Sequence, residues 1–194
     1  MNACDFLSEA DGVAVPYGVY DIKENIGKEN IGWVNVGITK DTAEFAVQAI
    51  RNRWYKMGIY YHNTAESLLI TADGGGSNSS KGRLWKYELQ KFANGTCMTI
   101  EVVHFQPGKS KWNKIEHRLF SYISKTWRGK QLVNYQIIVS LIADTKTEKG
   151  LKVACEIDNK KYETGIEISD EQFATINICP NVFHGEWNYS ILPE

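Results

Sequence analysis

Ser67-Leu68-Leu69-Ile70-Thr71-Ala72-Asp73-Gly74-Gly75-Gly76-Ser77-Asn78 reads as a short apolar strand running straight into a glycine-rich loop. The run from Ser67 to Ala72 fits a strand buried on both faces, the pattern of sheets covered by helices. Helical patterns stand on either side of it. Upstream, Asp41 opens one, with Glu44 three residues on as in a capping box. Phe45, Ala46, Ala49, Ile50, Trp54 and Met57 follow at helical spacing, up to Gly58. Downstream, Gly82 to Ala93 sets Trp85, Leu89 and Phe92 on one side, and Gly95 supplies a stop. Further out, Tyr17 to Ile22 and Trp33 to Ile38 form a β-hairpin pattern. Its tip holds an immediate repeat, Lys23-Glu24-Asn25-Ile26-Gly27 followed by Lys28-Glu29-Asn30-Ile31-Gly32. Insertions in such a tip cost little. Met98 to Phe105 is another strand, closed by Pro107-Gly108; helices follow over Lys111 to Trp127 and Asn134 to Ala143. A strand at Leu151 to Ile157, a short helix capped at Ser169, and a tail bearing Trp and His complete the chain. The order β-β-α-β-α-β-α-α-β-α predicts an α/β fold, a mixed sheet with helices on both faces. No linker divides it, so one domain is expected over 1–150, with 151–194 as its C-terminal extension.

Composition narrows the class. The chain has 194 residues, Lys+Arg 22 against Asp+Glu 23, and 43% hydrophobic residues. That supports one ordinary core and excludes a tail-driven polycation, while leaving room for a local basic groove. No apolar run is long enough to span a bilayer, and Met1 to Ala10 lacks a signal-peptide pattern. Cys4, Cys97, Cys155 and Cys179 show no CxxC spacing and read as reduced thiols of a cytoplasmic protein.

Two acidic residues carry the chemical reading. Asp73 stands at the carboxyl end of a strand, where ligands of α/β sheets gather, and the glycines after it admit a bulky group. The alternative is an aspartate that merely turns the loop. Glu116 lies on the helix after Pro107. At about 100° per residue from Trp112, Ile115, Leu119, Phe120, Ile123 and Trp127 fill an arc from about −60° to +80°, and Glu116 falls near +40°. A carboxylate aimed at the core needs a metal or a buried arginine partner; both readings stand. Two carboxylates without a His/Cys cage suit Mg²⁺ or Mn²⁺, and such a set can serve in-line phosphoryl displacement. Lys109, Lys111, Lys114, Arg118, Lys125 and Arg128, interleaved with Trp112 and His117, offer phosphate contacts; for Lys125 and Arg128 a solvated helix face is the simpler reading. Lys81, Arg83, Lys86 and Lys91 form a weaker, surface cluster. The triple glycine lacks GK[ST] and is no P-loop. Trp33, Trp54 and Trp85 are expected in the core.

Longer motifs carry a resemblance. Val15-Pro16-Tyr17-Gly18-Val19-Tyr20-Asp21, Gly32-Trp33-Val34-Asn35-Val36-Gly37, Leu69 to Asn78, Ser110-Lys111-Trp112-Asn113-Lys114-Ile115-Glu116-His117-Arg118-Leu119-Phe120-Ser121 and Phe183-His184-Gly185-Glu186-Trp187 resemble the Rhodopirellula-type insertion-sequence transposase, a DDE transposase domain. The resemblance covers nearly the whole chain. It implies an RNase H-like mixed sheet flanked by helices and metal-dependent strand cleavage and transfer on DNA. Asp73 and Glu116 would be the second and third acidic residues of the triad, both as catalytic and metal-binding groups with Mg²⁺ or Mn²⁺. Lys109, Lys111, Lys114, His117 and Arg118 would bind DNA, the transposon ends and target, in a full-length form that is a homo-oligomer. The first acidic residue of the family lies on a strand upstream of the Pro-Tyr-Gly-Val-Tyr-Asp motif, and nothing before Val15 resembles it; Asp21 matches a hairpin position. The expectation is a domain truncated at its N-terminus, its first strand missing, impaired in catalysis and prone to associate. The alternative is a non-catalytic remnant that binds DNA or full-length transposase. Gln106 stands where the family has proline, and the Lys23 to Gly32 repeat doubles a single family turn.

Overall fold

Ile31-Gly32-Trp33-Val34-Asn35-Val36-Gly37 is buried almost throughout, which requires a strand on each side and cover on both faces. The computed structural model describes residues 12–23, 30–106, 108 and 112–194 and meets both requirements. Strand β2 (Ile31–Gly37) lies between β1 (Val15–Tyr20), antiparallel, and β5 (Lys152–Asp158), parallel. The hairpin is in register from Val15 opposite Gly37 to Tyr20 opposite Gly32. Most of the repeat at its tip falls on 24–29, outside the described residues.

The chain divides into two compact units, 1–40 with 114–162 and 41–113 with 163–194. In the first, the sheet carries a helical segment ending in α4 (Ser121–Trp127), and α5 (Tyr135–Ala143). Its core is Val34, Val36, Leu119, Ile123, Ile138, Ile142, Leu151 and Val153. Gly32 is needed for the helix to approach: a Cβ there would sit 2.6 Å from Cδ1 of Leu119. Asn134 caps α5, its Oδ1 accepting from the amide of Ile137 at 2.9 Å.

The second unit contains β3 (Ser67–Asp73), β4 (Thr99–Phe105), β6 (Ile178–Pro180) and β7 (Asn188–Ile191), ordered β3-β4-β7-β6. Only the β3–β4 pair is parallel. Helices α1 (Ala43–Arg53) and α3 (Arg83–Thr96) bring Phe45, Ala46, Ala49 and Ile50 and Trp85, Leu89 and Phe92 out of solvent. Trp33, Trp54 and Trp85 are buried as expected.

The α/β class therefore holds, with its strands in two sheets. Among the described residues, β1 and β5 are the edges of one, and β3 and β6 of the other. An edge strand loses cover, so the doubly buried strand expected at Ser67 to Ala72 is half-exposed, with Leu69 at 57%. β6 and β7 come from the tail left unassigned above, too short to announce themselves. They and β5 give the residues after 150 a place in both sheets. The cap of α1 is Thr42, not Asp41, since its Oγ1 accepts from the amide of Phe45 at 3.2 Å. Thr42→Ala should cost about 1 kcal/mol, read as a lower urea midpoint; an unchanged midpoint would show that the cap contributes nothing. Gly58 does not end the helix: a π-turn over Trp54–Gly58 passes into α2 (Ile59–Tyr61). α3 likewise runs beyond Gly95, and Cys97 takes the left-handed conformation after its end.

Candidate functional site

Asp73 is the last residue of β3, opposite Phe105 of β4, and its side chain is exposed. The loop that follows cannot continue the strand. Gly76 has φ +57°, and a single 3₁₀ turn, Gly76–Asn78, reverses the chain. The turn brings Asn78 back, so that its Nδ2 donates to Oδ1 of Asp73 at 3.0 Å. A Cβ on Gly75 or Gly76 would meet nothing within 4 Å. The carboxylate is thus anchored through one oxygen beside open space. A hard-oxygen donor in that setting fits a divalent ion of the Mg²⁺ or Mn²⁺ type.

The same loop lines a cleft of about 290 Å³ with Thr42, Gly82 and Ile166. Asp41 and Glu163 line it too, an unfavourable charge pattern for a nucleotide's phosphates.

Glu116 belongs to the other unit and opens a π-turn, Glu116–Phe120, ahead of α4. Its predicted inward orientation is corrected here: the residue is exposed. Trp112, which set the phase of the helical wheel, precedes the helix and is itself 55% exposed. The i→i+5 winding also adds a residue to the turn, which rotates Glu116 off the stripe of Leu119 and Ile123. The buried-arginine alternative lapses with the burial. Lys114, His117 and Arg118 are exposed on the same helical segment. Lys109 and Lys111 lie outside the described residues.

The weaker basic cluster is largely engaged. Arg83 donates to Asp170 at 2.6 Å and lies over Phe173, and Lys91 pairs with Glu88 at 2.6 Å. Lys86 lies over the rings of Phe173 and Tyr189, and burial lowers its pKa.

Among the buried polar residues, His104 bears on this site. β4 alternates, with Ile100, Val102 and His104 buried, so His104 occupies a position that its period assigns to an apolar side chain. Its Nδ1 lies 2.9 Å from the Trp187 carbonyl oxygen and its Nε2 2.9 Å from that of Asn78. The signal available was a histidine in phase with the core face of its strand.

Among the described residues, no group of three or more His, Cys, Asp or Glu is placed to hold a metal ion. No helix there is long and apolar enough to cross a membrane. A family model described as the Rhodopirellula transposase DDE domain matches residues 1–193. No curated protein and no solved structure matches the chain.

Proposed function

Because the chain belongs to the Rhodopirellula transposase DDE domain family, we propose that it performs transposase-type phosphoryl transfer on DNA through Asp73 and Glu116. The observation that carries this is Asp73: an exposed carboxylate at a strand's carboxyl end, anchored by Asn78 beside glycines that leave room for a ligand. Asp73 and Glu116 would hold Mg²⁺ or Mn²⁺. Such an ion, when bound, polarises the phosphoryl oxygen and makes a water or 3′-hydroxyl a better nucleophile. Lys109, Lys111, Lys114, His117 and Arg118 would hold the backbone phosphates of transposon end and target, a positioning role rather than a sequence-reading one. In this reading the chain forms one RNase H-like catalytic domain in the cytoplasm, with 151–194 as its C-terminal extension, and the transposase assembles as a homo-oligomer.

Two carboxylates grip a divalent ion less firmly than three, so a site made of Asp73 and Glu116 alone would bind Mn²⁺ weakly. Calorimetric titration with Mn²⁺ tests the assignment. Asp73→Asn should lower the affinity by at least about tenfold, since even outer-shell changes commonly cost that much. Equal affinities would remove Asp73 from the site.

The exposed Lys114, His117 and Arg118 favour a second reading, a non-catalytic module that binds DNA or full-length transposase. It predicts DNA binding that needs no metal and survives Glu116→Gln.

A further inference from the structure

A carbonyl oxygen only accepts hydrogen bonds, so a ring nitrogen that bonds to one must carry a hydrogen. Both ring nitrogens of His104 face carbonyl oxygens, each at 2.9 Å. Only the imidazolium satisfies both; either neutral tautomer sets a nitrogen lone pair against an oxygen lone pair.

What the two bonds join gives the arrangement its meaning. Nε2 reaches the backbone of Asn78, the residue whose Nδ2 donates to Oδ1 of Asp73. Nδ1 reaches Trp187, whose carbonyl also accepts from the backbone amide of His104 at 3.2 Å. Trp187 ends a turn pinned by its own bonds: its amide and that of Asn188 both donate to the His184 carbonyl. One ring, 5% exposed as a residue, therefore clasps the Asp73 loop to a rigid anchor two strands away. The Trp85 ring lies edge-on to it with centroids 6.5 Å apart, and the Tyr189 ring centroid is 6.0 Å away.

The geometry points to His104 as a positioning residue for Asp73, a doubly donating imidazolium that fixes Asn78 and through it the orientation of the carboxylate. This rests on the proposed role of Asp73 in holding the metal. Without either ring bond, the loop from Gly76 to Asn78 loosens and the carboxylate is less well held.

The test has two parts. In ¹⁵N NMR of the whole chain, the His104 ring should show both nitrogens protonated wherever the Asn78 and Ser79 amides exchange slowly. Those amides should exchange faster in His104→Gln. A neutral tautomer, or amide exchange unchanged in His104→Gln, overturns the proposal. The second part is a double-mutant cycle on Mn²⁺ affinity. His104→Gln and Asn78→Ala should each weaken binding by about tenfold, the worth of one charge-assisted hydrogen bond. The double variant should be no weaker than either single one, because both cut the same link. Unchanged affinity in His104→Gln, or additive losses, counts against the link. If the unaltered chain binds no Mn²⁺, the metal reading of Asp73 fails, and the NMR still decides the clasp. It also decides it should His104→Gln not fold.

Discussion

Trp85→Ala should lower the stability of the unit containing it by about 3–5 kcal/mol, the usual cost of emptying a large aromatic site. Trp85 is fully buried on α3, and its Nε1 donates to the Tyr189 hydroxyl at 3.0 Å. Truncation leaves a cavity and deprives a buried phenol of its donor, so the loss combines a packing term and a polar one. Burial holds that phenol's pKa above the ordinary value, with the Trp85 bond acting in the opposite direction. Trp85→Phe separates the two terms: it keeps most of the volume and should cost about 1–2 kcal/mol. Urea unfolding followed by circular dichroism reads both. A Trp85→Ala loss below about 1 kcal/mol would show that the site collapses around the missing ring.

The second large effect concerns a thiol. Cys155 sits on β5, opposite Val34 of the buried strand β2. Burial, with a smaller contribution from the neighbouring Glu156 carboxylate, pushes its pKa up to about 12. Only the thiolate attacks an alkylating agent. At pH 8 its thiolate fraction is lower than that of an ordinary thiol by a factor on the order of a thousand. Iodoacetamide should therefore modify the exposed Cys97 and Cys179 and leave Cys155 intact until the protein is unfolded. Mass spectrometry of the labelled chain reads the pattern; early labelling of Cys155 would mean that its strand opens readily.

Features written in local chemistry were legible before the structure. The hairpin at Val15–Gly37, the helix cap at Ser169 and the helix start at Asn134 follow from residue types over a few positions. Asp73 at a strand end followed by glycines was legible for the same reason. What failed depended on winding and on neighbours. The wheel that turned Glu116 inward assumed a uniform helix, and a π-turn breaks that assumption without any Gly or Pro to announce it. The run Ser67 to Ala72 is as apolar as a central strand, yet its cover depends on what pairs with it, and it stands at an edge. His104 was invisible as a site because its partners are backbone carbonyls of distant residues, 26 and 83 positions away.

The two π-turns, Trp54–Gly58 and Glu116–Phe120, make single-residue deletion an informative operation on this chain. Each turn accommodates one residue more than regular α winding would. Removing one residue from either therefore heals the helix instead of breaking it, an indel that the fold absorbs in place. Healing also re-phases every side chain before the turn relative to those after it, by about 100°. At the second turn, the faces before and after it would fall back into common phase, as the regular wheel assumed for Glu116, Leu119 and Ile123. Length variation among relatives at these two points would change which way a helix face looks while leaving its ends where they are.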